Sequence, residues 1–297
     1  MKNILFFGGS SMLAYMWAKY WSKSYNISLG LNKRIINING TKSIDTKNLE
    51  LLRKTLISNK ITHIINCAGL TSVEQCQKKP ELAFYLNSDL PGKIATITSQ
   101  LNIKLIQIST DHLFDGKEKN YNETSKPNPL NIYSKSKLEG EEKVIQNANK
   151  SLVIRTNFFG EGPRYKPSFS DTIIHHLKQN KKISLFKDVF YTPISIHSLA
   201  DCIDKLIDND SSGIFNVVGN ERINKYEFGN IIANELNLDK KLINPIGINQ
   251  KTDLVIRPHD MSLSNNKLLS SIQTQIPKLS TQISNLKDYS KINVKAI

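Results

Sequence analysis

Cysteine is scarce: Cys67, Cys76 and Cys202 are the three present among 297 residues, and no metal-ligand spacing links them. Their odd number and scatter exclude a disulfide scaffold and fit a reducing compartment. Long apolar runs are missing too. The stretch Met1-Lys2-Asn3-Ile4-Leu5-Phe6-Phe7 offers four apolar residues before Gly8-Gly9, too few for a signal-peptide core. No segment nears the ~20 apolar residues of a membrane span. The expectation is a cytosolic protein with no membrane partner. Carboxylates are short as well, because 26 Asp and Glu face 40 Lys and Arg and leave a formal net charge of +14. The surplus is spread out in pairs such as Lys78-Lys79, Lys181-Lys182 and Lys240-Lys241. No basic helix and no alternation of basic and aromatic residues occurs, which argues against nucleic acid. A positive field of this kind suits an anionic cofactor and substrate. Internal repeats and low-complexity tracts are absent.

What is present reads as a large α/β chain, with ordinary hydrophobic (39%) and charged (22%) content for a globular protein. Residues 4–7 make a first strand. From Ser10 a helix follows, with Met12, Leu13, Met16, Trp17 and Tyr20 as its apolar stripe. Between them, Gly8-Gly9-Ser10-Ser11-Met12-Leu13-Ala14 puts a glycine turn at a helix N-terminus, where unpaired N–H groups and the helix dipole favour an anion. A dinucleotide fingerprint wants small residues at three positions spaced three apart. Here they are Gly8, Ser11 and Ala14, with glycine at the first alone. Ser11 falls where the backbone should approach a pyrophosphate most closely, so its side chain must point aside or donate a hydrogen bond. The second strand, 26–31, ends in Asn32-Lys33-Arg34 where a carboxylate would hold ribose hydroxyls. Two cations suit a 2′-phosphate, although a solvated basic loop reads the same way. Ile44-Asp45 closes a short third strand, and a helix over 49–57 follows. The fourth strand, 62–65, runs into Asn66-Cys67-Ala68-Gly69, small residues that let a ligand lie against the backbone. A long helix from Pro80 through Leu82, Phe84, Leu86, Leu90, Ile94 and Ile97 carries Asn87, placed to orient a neighbour or cap a buried carbonyl.

The centre of the sequence is the stretch 105–137. An apolar strand, 104–108, ends on Ser109-Thr110-Asp111; a turn at Asp115-Gly116 and a polar loop with Pro127 and Pro129 lead to a helix beginning near Tyr133. Tyr133 and Lys137 are four apart and share one helix face. A tyrosine with a lysine one turn away, facing a hydroxyl at a strand end, can donate a proton to a carbonyl. Free tyrosine titrates near about 10, and bringing it to about 7 takes roughly 4 kcal/mol. Lys137 is expected to supply part of that, a nearby ammonium favouring the phenolate, and a bound cationic nicotinamide another part. A surface helix with chance spacing is the plain alternative. Beyond it, a strand over 152–155 ends in Thr156-Asn157-Phe158-Phe159-Gly160, and 161–168 form a loop. A helix over 169–177 holds His175-His176, which point apart and make a poor metal pair. A strand over 183–186, Tyr191-Thr192-Pro193, a helix over 199–207 and a strand over 214–218 follow, and from Asn224 a smaller lobe carries Arg257-Pro258. No metal site is expected.

Strands alternating with helices to about Val218 imply a Rossmann-like, doubly wound parallel sheet, with ligand beyond the strand carboxyl ends. Together with Tyr133-x-x-x-Lys137, the chain resembles the extended short-chain dehydrogenase/reductases, and within them the dTDP-4-dehydrorhamnose reductase group. The blocks that carry the likeness are Asn66-Cys67-Ala68-Gly69, Ser109-Thr110-Asp111-His112-Leu113-Phe114-Asp115-Gly116, Tyr133-Ser134-Lys135-Ser136-Lys137, Leu152-Val153-Ile154-Arg155-Thr156, Thr192-Pro193 and Arg257-Pro258. The resemblance implies an NAD(P)-binding domain over 1–160, its sheet completed by about 187–219, and a substrate-binding lobe from 161–186 and 220–297. It makes Thr110, Tyr133 and Lys137 the catalytic set. Gly8, Ser10, Ser11, Met12, Leu13, Asn32, Lys33, Arg34, Asp45, Cys67, Ala68, Gly69 and Asn87, with Tyr133 and Lys137, would surround the cofactor. Thr71, Thr110, Asp111, Asn157, Phe158 and Arg257 would meet the substrate.

The sequence departs from the group at Ser11 and Ala14, at Ser134 where glycine usually follows the tyrosine, and at His112. Related 4,6-dehydratases carry a glutamate at the His112 position, so the resemblance favours simple carbonyl reduction. The acidic residues that some relatives use for magnesium have no equivalent. The implied activity is hydride transfer from NADPH, with NADH as a second choice, to C4 of a nucleotide-linked 4-keto-6-deoxyhexose. Such sugars serve cell-surface polysaccharide biosynthesis, and the resemblance allows a homodimer. The competing reading is a non-catalytic NADP-binding module like the regulatory subunit of methionine adenosyltransferase.

Overall fold

The computed structural model describes residues 1–32, 34–46, 48–148 and 150–286. Strands and helices alternate from the start: β1 (Asn3–Phe7), α1 (Met12–Trp21), β2 (Asn26–Leu31), β3 (Thr41–Asp45), α2 (Leu49–Ser58), β4 (His63–Asn66), α3 (Val73–Lys78), α4 (Pro80–Phe84), α5 (Leu90–Gln100), β5 (Lys104–Ile108), α6 (Ile132–Asn147) and β6 (Leu152–Arg155). A seven-stranded sheet runs in the order Gly213–Asn216, β6, β5, β4, β1, β2, β3. From β6 to β3 every pairing is parallel. Parallel strands need crossover helices on the sheet faces, so strands such as Asn3–Phe7 are apolar on both sides rather than alternating. Leu5, Ile64, Leu105 and Val153 meet Leu52, Leu56, Ile94 and Val144 in one buried core. The chain moves outward from β1 to β3, then returns to lay β4 on the other side of β1. That reversal opens a crevice beyond the carboxyl ends of β1 and β4.

The chain divides into two compact units: residues 1–113, 131–155 and 210–215 form the first, and 114–130, 156–209 and residues from 216 onward form the second. The second unit pairs Ile183–Phe186 with Ile243–Ile246 in parallel, Phe190–Tyr191 with Ile223–Asn224 in antiparallel, and Phe158–Phe159 with Ile194–Ser195. Phe228 centres its core, with Phe159, Phe169 and Tyr191 packed around its ring. The boundaries therefore differ from those expected. Residues 187–209 belong to the second unit, because Phe190 and Tyr191 take their ladder partner from Ile223–Asn224 and leave Gly213–Asn216 to complete the large sheet.

Two local differences matter for the site. The six-residue α3, capped by the Ser72 hydroxyl, has no counterpart in the sequence reading. The long helix from Pro80 is broken by a π turn over Tyr85–Asp89. Pro91 has no N–H to give the Asn87 carbonyl, and its ring would collide with that oxygen, so the helix widens ahead of it. The displaced carbonyl faces Gly140 of α6, where a Cβ would lie 2.0 Å from it. Among the described residues all three cysteines are free, and no helix is long and apolar enough to cross a membrane.

Candidate active site

The turn after β1 and the turn after β4 touch. Gly8 has φ +79°, and a Cβ there would come within 2.7 Å of the Ala68 nitrogen, so conformation and space both require glycine. Ser11 is the N-cap of α1: its hydroxyl accepts from Ala14 N at 3.2 Å and is also hydrogen-bonded to Cys67. The side chain is thus turned aside into the helix start. Burial pushes the Cys67 thiol up to about 12, which keeps it neutral. Met12 and Leu13 amides make no hydrogen bond among the described residues, so the first turn of α1 presents two unspent donors beside half-buried Ser10. Asn32 and Arg34 follow β2 and are exposed, while Lys33 lies outside the described residues. The β2–β3 register sets exposed Asp45 opposite Leu31, so a carboxylate shares this corner with Arg34.

Thr110 and Asp111 are buried just beyond β5. Asn131 caps α6 through a reciprocal box in which Ser134 N donates to its side chain and the Ser134 hydroxyl accepts from Asn131 N. This explains a serine after the tyrosine: it starts the helix that carries Tyr133 and Lys137. The Tyr133 phenol is hydrogen-bonded by Thr110 and raised above the usual tyrosine range, chiefly by burial. His112 packs its ring edge-on against Tyr133, with centroids 5.6 Å apart. Lys137 Nζ donates to the Ile108 carbonyl at 2.6 Å; burial lowers its ammonium to about 8, with Glu141 pulling the other way. The expected depression of the tyrosine by the lysine is not what holds here: burial dominates and raises the phenol, which stays neutral.

Asn87 sits inside the π turn and grips the loop after β4. Its Oδ1 accepts from Leu70 N at 2.9 Å, and its Nδ2 donates to Leu70 O and to Ser136 Oγ at 3.0 Å each. Gly69 lies directly under this amide, where a Cβ would be 2.8 Å from Oδ1. Thr71 is exposed on the same loop. Asn157, Phe158 and Arg257 belong to the second unit and are half-buried. Asn157 O accepts from Ile194 N at 3.1 Å, Phe158 opens the short strand paired with Ile194, and Arg257 Nε donates to Val255 O at 3.3 Å. The first unit therefore gathers Gly8, Ser11, Cys67 and Ala68 at one place, and Thr110, Tyr133 and Lys137 at another. Sequence reasoning missed Ser136 as the partner of Asn87. It also missed a buried ion pair in which Arg155 grips Glu141 through Nε and Nη2, the latter at 2.7 Å. A glutamate one turn after Lys137 was the available signal.

With this geometry in place, likeness to known proteins decides the family. Residues 1–291 match the model of the RmlD substrate binding domain. The chain belongs to that family. A probable low-salt glycan biosynthesis reductase of Haloferax volcanii is 30% identical over 205 residues, covering 67% of this chain and 68% of that protein. Methionine adenosyltransferase 2 subunit beta of Xenopus laevis is 30% identical over 223 residues, covering 72% of this chain and 66% of its own length. The dTDP-4-dehydrorhamnose reductase of Bacillus anthracis, solved in complex with NADP, shares the fold at a TM-score of 0.85 and 24% identity, over 98% of this chain and 100% of that one.

Proposed function

We propose that the chain is an NADPH-dependent reductase of the 4-keto group of a nucleotide-linked 4-keto-6-deoxyhexose. The observation that carries this is a protonated, buried phenol, Tyr133, hydrogen-bonded by Thr110 at a strand end and followed one turn later by a buried ammonium, Lys137. A dinucleotide suits the residues present. The Gly8 turn leaves no side chain at the crevice, α1 offers the Met12 and Leu13 amides to a pyrophosphate, and Ala68 and Gly69 present backbone beside them. Bound there, the nicotinamide would supply the hydride. Tyr133 is kept neutral by burial and so holds the proton that a reduced carbonyl oxygen must take up. Thr110 fixes the phenol's direction and offers a second hydroxyl to the same oxygen. Lys137 holds a positive charge close to the developing alkoxide while it remains protonated. In this reading the first unit serves the cofactor, and its Thr71 and Asp111 are the residues it offers to the nucleotide sugar.

A second reading has its own support: a regulatory subunit matches at the same identity as the glycan reductase. One experiment separates the two. NADPH consumption is followed over a panel of dTDP- and UDP-linked 4-keto-6-deoxy sugars. Stoichiometric oxidation with one of them is the expected result. Tight NADPH binding without turnover on any sugar would favour the regulatory module.

A further inference from the structure

Asn66 and Gln107 face one another across β4 and β5, in register and buried, in strands whose other buried residues are Ile64, Ile65, Leu105, Ile106 and Ile108. Two primary amides inside a parallel sheet cost free energy unless every polar atom finds a partner. Aliphatic residues would fill these positions with no such demand, so the amides mark a local choice that stability alone does not explain. Their hydrogen bonds run along one line. Ala68 N donates to Asn66 Oδ1 at 3.1 Å, and Asn66 Nδ2 donates to Gln107 Oε1 at 2.8 Å. Gln107 Nε2 then donates to the Ile108 carbonyl at 3.0 Å, the same oxygen that accepts from Lys137 Nζ at 2.6 Å. A continuous chain of bonds thus links the turn after β4 to the Lys137 ammonium through the interior of the sheet. Each bond polarises the next, and in a low-dielectric interior the whole line stiffens together.

We propose that Asn66 and Gln107 are positioning residues for Lys137, acting by fixing the carbonyl that anchors its ammonium and tying that carbonyl to the Ala68 turn. The inference rests on the reductase reading only for the consequence in turnover; the mechanical link stands by itself. Primary amides do not titrate in the working range, so the line transmits position and not a proton. The competing explanation is that the pair does no more than join β4 to β5. It differs in one respect: replacing both amides by apolar side chains of similar volume removes the mutual need for partners and should restore stability without restoring position.

The test uses full-length protein labelled with ¹⁵N-lysine and free of cofactor, as wild type, Gln107→Met and the pair Asn66→Leu/Gln107→Met. Lys137 Nζ is observed directly by NMR. In Gln107→Met its ammonium is expected to lose order and exchange protons with water about tenfold faster, a loosening comparable to what small displacements cost active sites. The double variant should melt near the wild type yet show the same loosened ammonium. In turnover, both variants should lose about tenfold in kcat without multiplying, because coupled residues act as one unit. KM for NADPH should stay within about threefold, as expected of a change felt in the transition state more than in binding, and deuterated NADPH should show a larger isotope effect. An unchanged Lys137 ammonium in either folded variant overturns the proposal, as does a kcat that recovers together with stability in the double variant. If Gln107→Met fails to fold, the double variant carries the same readouts. A loosened ammonium in a protein that reduces no sugar nucleotide would leave the positioning role standing and sink the reductase reading instead.

Discussion

At the scale of single residues, the site is organised by what burial does to charge. Burial raises the Tyr133 phenol and lowers the Lys137 ammonium to about 8. A general acid must begin protonated, so the raised phenol is loaded at every working pH, and its removal should be felt in chemistry rather than folding. Tyr133→Phe is expected to melt like the wild type and to bind NADPH, while turnover on the true substrate falls by at least about 100-fold, the lower end of what a positioned acid contributes. Near-normal turnover would remove Tyr133 from the mechanism. Lys137 gives the opposite kind of prediction. Its ordinary value of 10.5 lies above the folded value, so between the two the unfolded chain binds more protons than the folded one. The cost of burying the ammonium is therefore fully present below about 8 and fades as pH climbs to 10.5. Lys137→Met should inactivate the protein yet raise its stability at neutral pH, by up to about 3 kcal/mol. Urea melts of both proteins from neutral to alkaline pH check this; a gain that grows with pH, or a loss at neutral pH, contradicts it. That Tyr133 on its helix would meet the Thr110 hydroxyl at a strand end was legible, because helix spacing and a strand end are local signals. Gln107, Glu141 and Arg155 were not, since each takes its meaning from a partner on another element.

At the scale of elements, strands β2, β5 and β6 fall on the residues expected from sequence, because each is a short apolar run bounded by polar turns. The region from Pro80 through Ile97 was read as one helix, since apolar spacing does not register a π turn. Its cause lies in the pairing of Pro91 with the Asn87 carbonyl and in the approach of Gly140 from α6. Alanine is ordinarily better than glycine in a helix by about 1 kcal/mol. Gly140→Ala should reverse that sign, because the new methyl would overlap the Asn87 carbonyl, and overpacking costs about 1–3 kcal/mol. A lower melting temperature, with weaker NADPH binding as Asn87 moves off Leu70, is the expected outcome; a more stable variant would show that the two helices separate freely. The helix α1 yields a milder case. Ser11 caps the helix with its side chain turned aside, and glycine replaces a serine cap at a cost of a few tenths of a kcal/mol. Ser11→Gly should therefore hold NADPH as well as the wild type or better, with a small drop in melting temperature. Marked loss of affinity, measured by calorimetry, would make the Ser11 hydroxyl a direct contact.

For the whole molecule, alternating strands and helices announced the doubly wound sheet, but the boundary between units was harder to read. The chain passes between them several times, and residues 114–130, expected as a loop of the first, fold with the second through contacts such as Tyr121 with Ser262. Net charge, by contrast, is a property of the entire chain, and +14 creates a field that favours the more anionic of two cofactors. Locally, Arg34 is exposed beyond β2, and Asp45 stands at the end of the neighbouring strand. A 2′-phosphate brings up to about two negative charges that an arginine can meet through a bidentate fork, whereas a ribose diol would look to the carboxylate. Exposure limits an arginine–phosphate contact to about fivefold in affinity, and a second from Lys33 would bring the preference for NADPH over NADH to the order of tenfold or more. The preference should shrink as salt rises, because screening acts on the phosphate contacts and barely on the diol. Arg34→Ala should weaken NADPH and leave NADH nearly untouched, and adding Lys33→Ala should deepen the loss. Fluorescence titrations with both cofactors at low and high salt give all four numbers. Equal binding in the wild type, undiminished in the double variant, would mean that these cations only solvate a loop and that Asp45 governs the corner.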